Sequence, residues 1–455
     1  MLIILSDIHI GDGTCCQSVS AGAFRLFAER LKELALNASW RSDGTYRPLE
    51  SLDILLLGDI LEVLHSTLWL EKEIGAPGYV RPWTDPQAPE FAAKIDAITR
   101  AVLQNNAESA AILRALTRPG GLSLPPADAA DRPDPAGSPV PVTVRLHYMV
   151  GNHDWYYHLP GPAFDAIRGR IVEAFGLSNT VQPFPYEARE DPGLQTLLAD
   201  HQVFVQHGDR YDAFNYDPQR GRNASSLGDA FAVEILNRFP DEVARRLGDE
   251  LPPRLIASLR ELVNVRPALA TPLWISSQLR ASDVPADLQK KFKDLWDSLC
   301  DQFLALPFVQ EYNRPFKLNI VDGLELGIHL TNALSFKTLD ELVVWARSKF
   351  GSEEITYARH ALQEPAFLDR SAQFIVYGHT HHQEIVALDA FPSAGGLTSQ
   401  IYLNSGTWHT YFDLALHKPE EQKFIPYQMQ TYLVFYKEDQ RTGRRFETWT
   451  GAFSD

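Results

Sequence analysis

The sequence predicts a layered α/β protein, and three observations carry that prediction. First, six short runs are almost continuously apolar, which marks strands buried on both faces. They are "LIILSD" (2–7), "LDILLLGD" (52–59), "VRLHYMVGNHD" (144–154), "HQVFVQHGD" (201–209), "QFIVYGHTH" (373–381) and "QIYLNSGTW" (400–408). Second, "AFRLFAERLKELALN" (23–37) sets Phe24, Phe27, Leu31, Leu34 and Ala35 at helical spacing. Strand, helix and strand in that order read as a β-α-β unit with a crossover helix. Third, each apolar run ends in polar residues, and open α/β sheets bind ligands at the ends of their strands.

The remaining elements follow in order. "AFDAIRGRIVEAFG" (163–176) is a further helix, with Gly176 in the C-cap position. Residues 63–142 interrupt the alternation with a helical run around 90–117 and then "RPGGLSLPPADAADRPDPAGSPVPV". Seven prolines there argue against regular structure and for an exposed, partly disordered loop. Residues 212–350 are a second interruption with helical patterning, read as a cap. Both count as insertions in a single domain spanning 1–455. "TYLVFYKE" and "RRFETWTG" read as a terminal β-hairpin.

The chain carries 42 basic and 58 acidic residues, a formal charge of -16. That balance disfavours sequence-independent binding to nucleic acid backbones. Cys15, Cys16 and Cys300 make no disulfide framework and fit a reducing compartment, so a cytoplasmic location is expected. No apolar run is long enough to span a bilayer. The oligomeric state is left open.

The polar strand ends are Asp7 with His9, Asp59, Asn152 with His153, His207, and His379 with His381. Singly, such residues serve as caps and turns. Together they are oxygen and imidazole donors suited to two divalent cations, manganese first, iron or zinc also. Asp7 and His9, two apart on an extended chain, point to one side and can chelate one ion; His379 and His381 repeat that spacing. Asp59 can bridge two ions. His382 then points away, and His65, His147, His158 and His201 read as structural.

"DIH", "GDILE", "GNHD", "HGD" and "GHTH" resemble, in order, the five blocks of the calcineurin-like metallophosphoesterase superfamily. The likeness spans residues 7–381 but not the two insertions. It implies a four-layer α/β/β/α sandwich and a dinuclear metal centre. Asp7, His9 and His381 would hold the first metal, Asn152, His207 and His379 the second, and Asp59 would bridge them. His153 matches the family's non-ligand histidine facing the leaving group or a phosphoryl oxygen. Glu62, three residues after Asp59, stands where the superfamily often carries its carboxylate partner. The implied reaction is hydrolysis of a phosphate mono-, di- or pyrophosphate ester by a metal-bridging hydroxide. Asp154 and Asp209 are expected to cap turns or orient ligands.

For substrate the sequence offers aromatic and basic residues after the ligand blocks: Trp155, Arg210, Tyr211 and Trp408, with Tyr156, Tyr157, Phe214, Tyr216 and His409 nearby. They suggest a pocket for a phosphorylated small molecule or nucleotide-like substrate. "GDILE", "HGDRYDAFNYD" and "GHTHH…YLNSGTWH" are similar to the UDP-2,3-diacylglucosamine hydrolase branch, which carries arginine where this chain has His153. The DNA-repair nuclease branch shares the same blocks, and a non-catalytic scaffold on the same fold is the further alternative.

Overall fold

The computed structural model describes residues 1–266, 271–312, 353–393, 396–415, 423–437 and 439–453. Strand β1 (Leu2–Leu5) is wholly buried and leads through helix α1 (Ala21–Ala38) into β2 (Ser51–Leu57). The two strands pair in parallel, Leu2 opposite Asp53, so the expected crossover unit is present. Phe24, Phe27, Leu31, Leu34 and Ala35 form the buried stripe of α1. The helical run expected around 90–117 is two helices, α2 (Pro89–Asn105) and α3 (Ala107–Thr117), broken at Asn106.

The proline-rich stretch is exposed but follows a defined course. Its ends pair as a two-residue ribbon, β3 (Ser123–Leu124) with β4 (Val140–Pro141), and Tyr46 donates its hydroxyl proton to the Pro125 carbonyl. Short edge strands tolerate proline because its missing N–H faces outward. Strand β5 (Thr143–Met149) then extends the sheet beside β2. Helix α4 (Pro162–Phe175) ends at Gly176 in the left-handed conformation, and α5 (Pro192–Asp200) leads into β6 (Val203–Val205).

The second insertion is helical over much of its described part. It runs through α6 (Leu227–Phe231), α7 (Arg238–Leu247), α8 (Pro253–Arg260), strand β7 (Val265–Arg266), α9 (Thr271–Ala281), α10 (Ala286–Leu304) and α11 (Pro307–Gln310). It has its own apolar core, including Phe239, Phe292 and Trp296. The cap is not purely helical, because β7 joins the main sheet. Residues 313–350 of the expected cap lie outside the described residues.

Helices α12 (Glu353–Ala361) and α13 (Pro365–Leu368) precede β8 (Phe374–Tyr377). Then come β9 (Gln383–Ser393), β10 (Gly396–Ser405), β11 (Thr410–Leu414), β12 (Phe424–Phe435) and β13 (Phe446–Phe453). One mixed sheet has the order β5-β2-β1-β12-β11-β7, with β13 pairing along β12; the second has the order β6-β8-β10-β9. The β12–β13 hairpin is the one the terminal sequence predicts.

Alternation along β1 sorts the packing. Leu2 and Ile4 join Leu55, Leu57 and Phe435 against Val205, Phe374 and Val376 of the second sheet. Ile3 and Leu5 face the opposite way, into a core with Phe24, Phe27, Ile95 and Ile167. Beyond the second sheet, Ile375, Tyr377 and Tyr402 pack on Tyr357, Ala358 and Ala361 of α12. Among the described residues no helix is long and apolar enough to cross a membrane.

Asp53, near the start of β2, accepts hydrogen bonds from Arg145 (2.7 and 2.8 Å) and His147 (2.9 Å) on β5. Burial works against its charge, but the His147 and Arg145 bonds outweigh it and hold the carboxyl down at about 2. A depressed carboxyl stabilises the fold above the ordinary value near pH ~4, and that stabilisation is lost as the pH falls through about 2. Asp53→Asn should therefore cost on the order of 2 kcal/mol at pH 7. Urea unfolding across pH should show the gap to wild type narrowing below pH ~4.

Candidate metal centre

Five of the polar strand-end residues share an uncommon backbone state. Asp7, His9, Asp59, His379 and His381 all have positive φ, between 50° and 67°. Left-handed backbone is disfavoured for residues with a side chain and tends to collect at functional sites. The extended-chain geometry expected for Asp7–His9 and His379–His381 is therefore replaced by tight left-handed kinks. Gly58 is also left-handed, and a Cβ there would overlap the His207 ring. At Gly151 a Cβ would strike the Asp59 carboxylate.

The loops are stitched together by backbone. Asp7 N donates to Gly58 O and His9 N to Asp59 O, while His379 N donates to the Asp7 carboxylate at 3.0 and 3.1 Å. Thr407 Oγ1 donates to Asp7 O at 2.6 Å. Asp154 accepts from Gly151 N, Ile60 N and the Tyr148 hydroxyl, tying the 58–62 turn to the 151–154 turn. Burial, then the nearby Asp59 charge, pushes its carboxyl up to about 6.

Most of these side chains gather in two groups, and a third, His9 with Glu62 and His153, shares His9 with the first. Ligating atoms of Asp7, His9 and His381 lie within 4.8 Å of one another, and so do those of Asp59, His207 and His379. Asn152 Oδ1 joins the second group, 3.2 Å from His207 Nε2 and 3.0 Å from His379 Nδ1. Asp59 Oδ2 stands between the groups, 3.2 Å from His207 Nε2 and 4.0 Å from His9 Nε2.

Each of three imidazoles is oriented from behind. His9 Nδ1 donates to Glu62 Oε2 at 2.8 Å, His207 Nδ1 to the Leu57 carbonyl at 3.0 Å, and His379 Nε2 to Asp212 at 3.2 Å. Carboxylates and carbonyls only accept, so the opposite ring nitrogens turn lone pairs into the cluster. His9 Nε2 meets His381 Nε2 at 3.1 Å, with Asp7 Oδ1 3.3 Å from the latter. Acceptors facing acceptors at this range require a proton or a cation between them. A divalent ion in each group fits this oxygen and imidazole set.

Electrostatics agree. Asp7 and Asp59 are buried, and among the described residues neither pairs with lysine or arginine. Burial pushes the Asp7 carboxyl up; that of Asp59, despite burial, is held well below the usual range by His207 and His153. Burial would lower His207, but Asp59 and Asp7 raise it to about 10. The pocket thus demands positive charge.

His153 stands beside the groups. Its backbone N–H donates to Asp59 Oδ1 and its Nδ1 to Glu62 Oε2, both at 2.8 Å. Burial opposes its charge, but Glu62 and Asp59 raise it to about 10. Glu62 thus orients both His9 and His153, and its other oxygen accepts from Leu64 N and His65 N.

The expected substrate residues scatter. Trp408 does not reach the site: it is fully buried against Phe24 and Phe27 and donates Nε1 to Thr431 O. Its backbone N–H binds Asp7 O, which places its ring on the helix side of the sheet. Trp155 stacks on buried Tyr156 and lines a narrow pocket, with room for about one water, together with Asn152, Asp209, Arg222 and Asp229. Arg210 is exposed, its nearest acid Glu187 at 3.7 Å. Tyr211 stacks on His360 and donates to Glu364. His382 lies exposed over Tyr411. Asp212 and Arg222, which salt-bridges Asp209, are the neighbours that sequence reasoning missed. Asp212 follows "HGDRY" directly, and that carboxylate just past a ligand block was the available signal.

No family model matches the chain, and no curated protein matches its sequence.

Glu62→Gln keeps size but weakens the hold on His9. Manganese affinity, read by calorimetry on metal-free protein, should fall about 10–100-fold. An unchanged affinity would mean that Glu62 does not orient a ligand.

Proposed function

We propose that the protein is a calcineurin-like metallophosphoesterase that hydrolyses a phosphate mono-, di- or pyrophosphate ester with two divalent cations. The observation that carries this reading is the convergence of Asp7, His9, Asp59, Asn152, His207, His379 and His381, with imidazole lone pairs turned inward. In this reading Asp7, His9 and His381 hold one cation, Asn152, His207 and His379 the other, and Asp59 both. The two face-to-face sheets, with helices packed outside each, support the four-layer sandwich that such enzymes share. Manganese suits the donor set, as do iron and zinc.

When bound, the two cations supply charge opposite a phosphoryl group and lower the pKa of water. The chain's own residues do the rest. Glu62 accepts a hydrogen bond from His153 Nδ1–H, which leaves Nε2 to donate to a phosphoryl oxygen or to the departing ester oxygen. The protonated state favoured by Glu62 and Asp59 suits that role. Buried Asp154 keeps the turns bearing Asp59 and His153 in register. The described part of the cap, residues 212–312, touches the loop cluster through Asp212 on His379, and the cap is the part of the chain suited to substrate choice.

Metal-free protein should be inactive on p-nitrophenyl phosphate and regain turnover with manganese; equal turnover without metal would sink the reading. Asp59→Asn should cut turnover by more than about 100-fold, beyond the loss typical of an outer-shell change, with circular dichroism unchanged. A panel of aryl phosphates, nucleotide sugars and single-stranded DNA separates the branches. Cleavage of long DNA in preference to every small ester would replace this reading with a nuclease.

A further inference from the structure

His65, read as structural from sequence, has one ring nitrogen committed and the other open. Six residues, Ala232–Asn237, are wound as a π-helix, a rare form that accumulates at functional sites. Glu234 in this stretch is anchored by buried Arg81, which also donates to the Trp69 and Val80 carbonyls. Asn237 at its end donates Nδ2 to the Leu64 carbonyl at 2.7 Å and presents Oδ1 to His65 Nδ1 at 2.8 Å.

A carbonyl can only accept, so the Asn237 amide has one orientation and His65 Nδ1 must carry the proton. Nε2 is then a lone-pair acceptor. It has no hydrogen-bond partner among the described residues, and the residue keeps 9% of its surface exposed. Burial holds the ring down at about 4, against the raising effect of Glu62, so it stays neutral. The His65 and His153 rings are neighbours, their centroids 5.6 Å apart, and both rest on Glu62, His153 through Nδ1 and His65 through its backbone N–H.

A lone pair is out of place beside a phosphate, whose ester oxygens are themselves acceptors. It is satisfied only by a donor. His153 offers N–H, His65 offers a lone pair, and side by side they match a phosphoryl oxygen next to a hydroxyl. We propose that His65 Nε2 is a specificity-determining acceptor that takes a hydrogen bond from a hydroxyl adjacent to the scissile phosphate ester. The substrate class is a polyol or sugar phosphate ester, and the inference rests on the phosphoesterase reading above. Asn237 is the positioning residue that holds the tautomer, which links the cap to the choice of leaving group.

The test compares matched pairs on the manganese-loaded full chain: glucose 1-phosphate with 2-deoxyglucose 1-phosphate, glycerol 3-phosphate with n-propyl phosphate, and UDP-glucose with UDP-2-deoxyglucose. In wild type at least one hydroxylated member should exceed its deoxy partner by about tenfold or more in kcat/KM. His65→Leu should bring that ratio near one while p-nitrophenyl phosphate turnover changes less than about twofold. His65→Gln, which retains an oxygen acceptor, should restore part of the ratio. Aryl phosphate cleavage without hydroxyl discrimination, or discrimination that survives His65→Leu, overturns the role of His65. So does an equal loss on every substrate in both variants, the mark of a merely structural residue. Wild type that leaves p-nitrophenyl phosphate intact with metal overturns the phosphoesterase reading itself.

Discussion

Two carboxylates, Asp7 and Asp59, are buried side by side with neither lysine nor arginine paired to either among the described residues. Burying charge is costly unless it is compensated. Here imidazoles surround the carboxylates, and three of them are fixed by Glu62, Asp212 and a backbone carbonyl, so that compensation falls to a proton or a cation held between the inward-facing acceptors. The arrangement therefore reaches outward in shells, each inward-facing ring nitrogen requiring a fixed acceptor behind its ring. Remove the demand for positive charge at the centre and most of the polar network has no purpose.

The same demand accounts for backbone that would otherwise be hard to justify. Left-handed residues other than glycine cost of order 1 kcal/mol or more each, and five of them cluster here. The surrounding structure tolerates this because β1, β2, β5 and β8 bury their apolar runs in the two faces of the sheets. Rigid strands deliver the loops to one rim, and the loops absorb the strain. Glycines at 58 and 151 admit side chains where a Cβ would collide with them.

How much of this could be read from the sequence depends on how local the cause is. Continuous apolar runs and the stripe of α1 are local, and strands and helix stand where the pattern put them, with ends shifted by a few residues. The polar strand ends were visible for the same reason: a buried run stopping at Asp, His or Asn is conspicuous. What failed was direction. Trp408 follows a polar block just as Trp155 does, but one ring faces α1 and the other a narrow pocket beside Asn152, and only tertiary packing tells them apart. Glu62 was legible as a partner of His153, but not its second bond to His9, which depends on two loops crossing. The role of Asn237 depends on a π-helical winding that no short pattern announces. Proline content suggested disorder at 118–142, yet pairing of the segment's ends and a tyrosine from a distant turn give it shape.

The place of β12 bears on how the molecule comes to exist. It runs antiparallel between β1 and β11, with Leu2 opposite Phe435. Pairings so distant along the chain are slow to form, because loop closure must precede the contacts that reward it. During synthesis β1 has β2 beside it early but leaves its other edge open until β12 emerges. An unpaired edge is a template for wrong partners. The nascent polypeptide thus carries its first strand, with Asp7 just beyond it, half-clothed through most of translation.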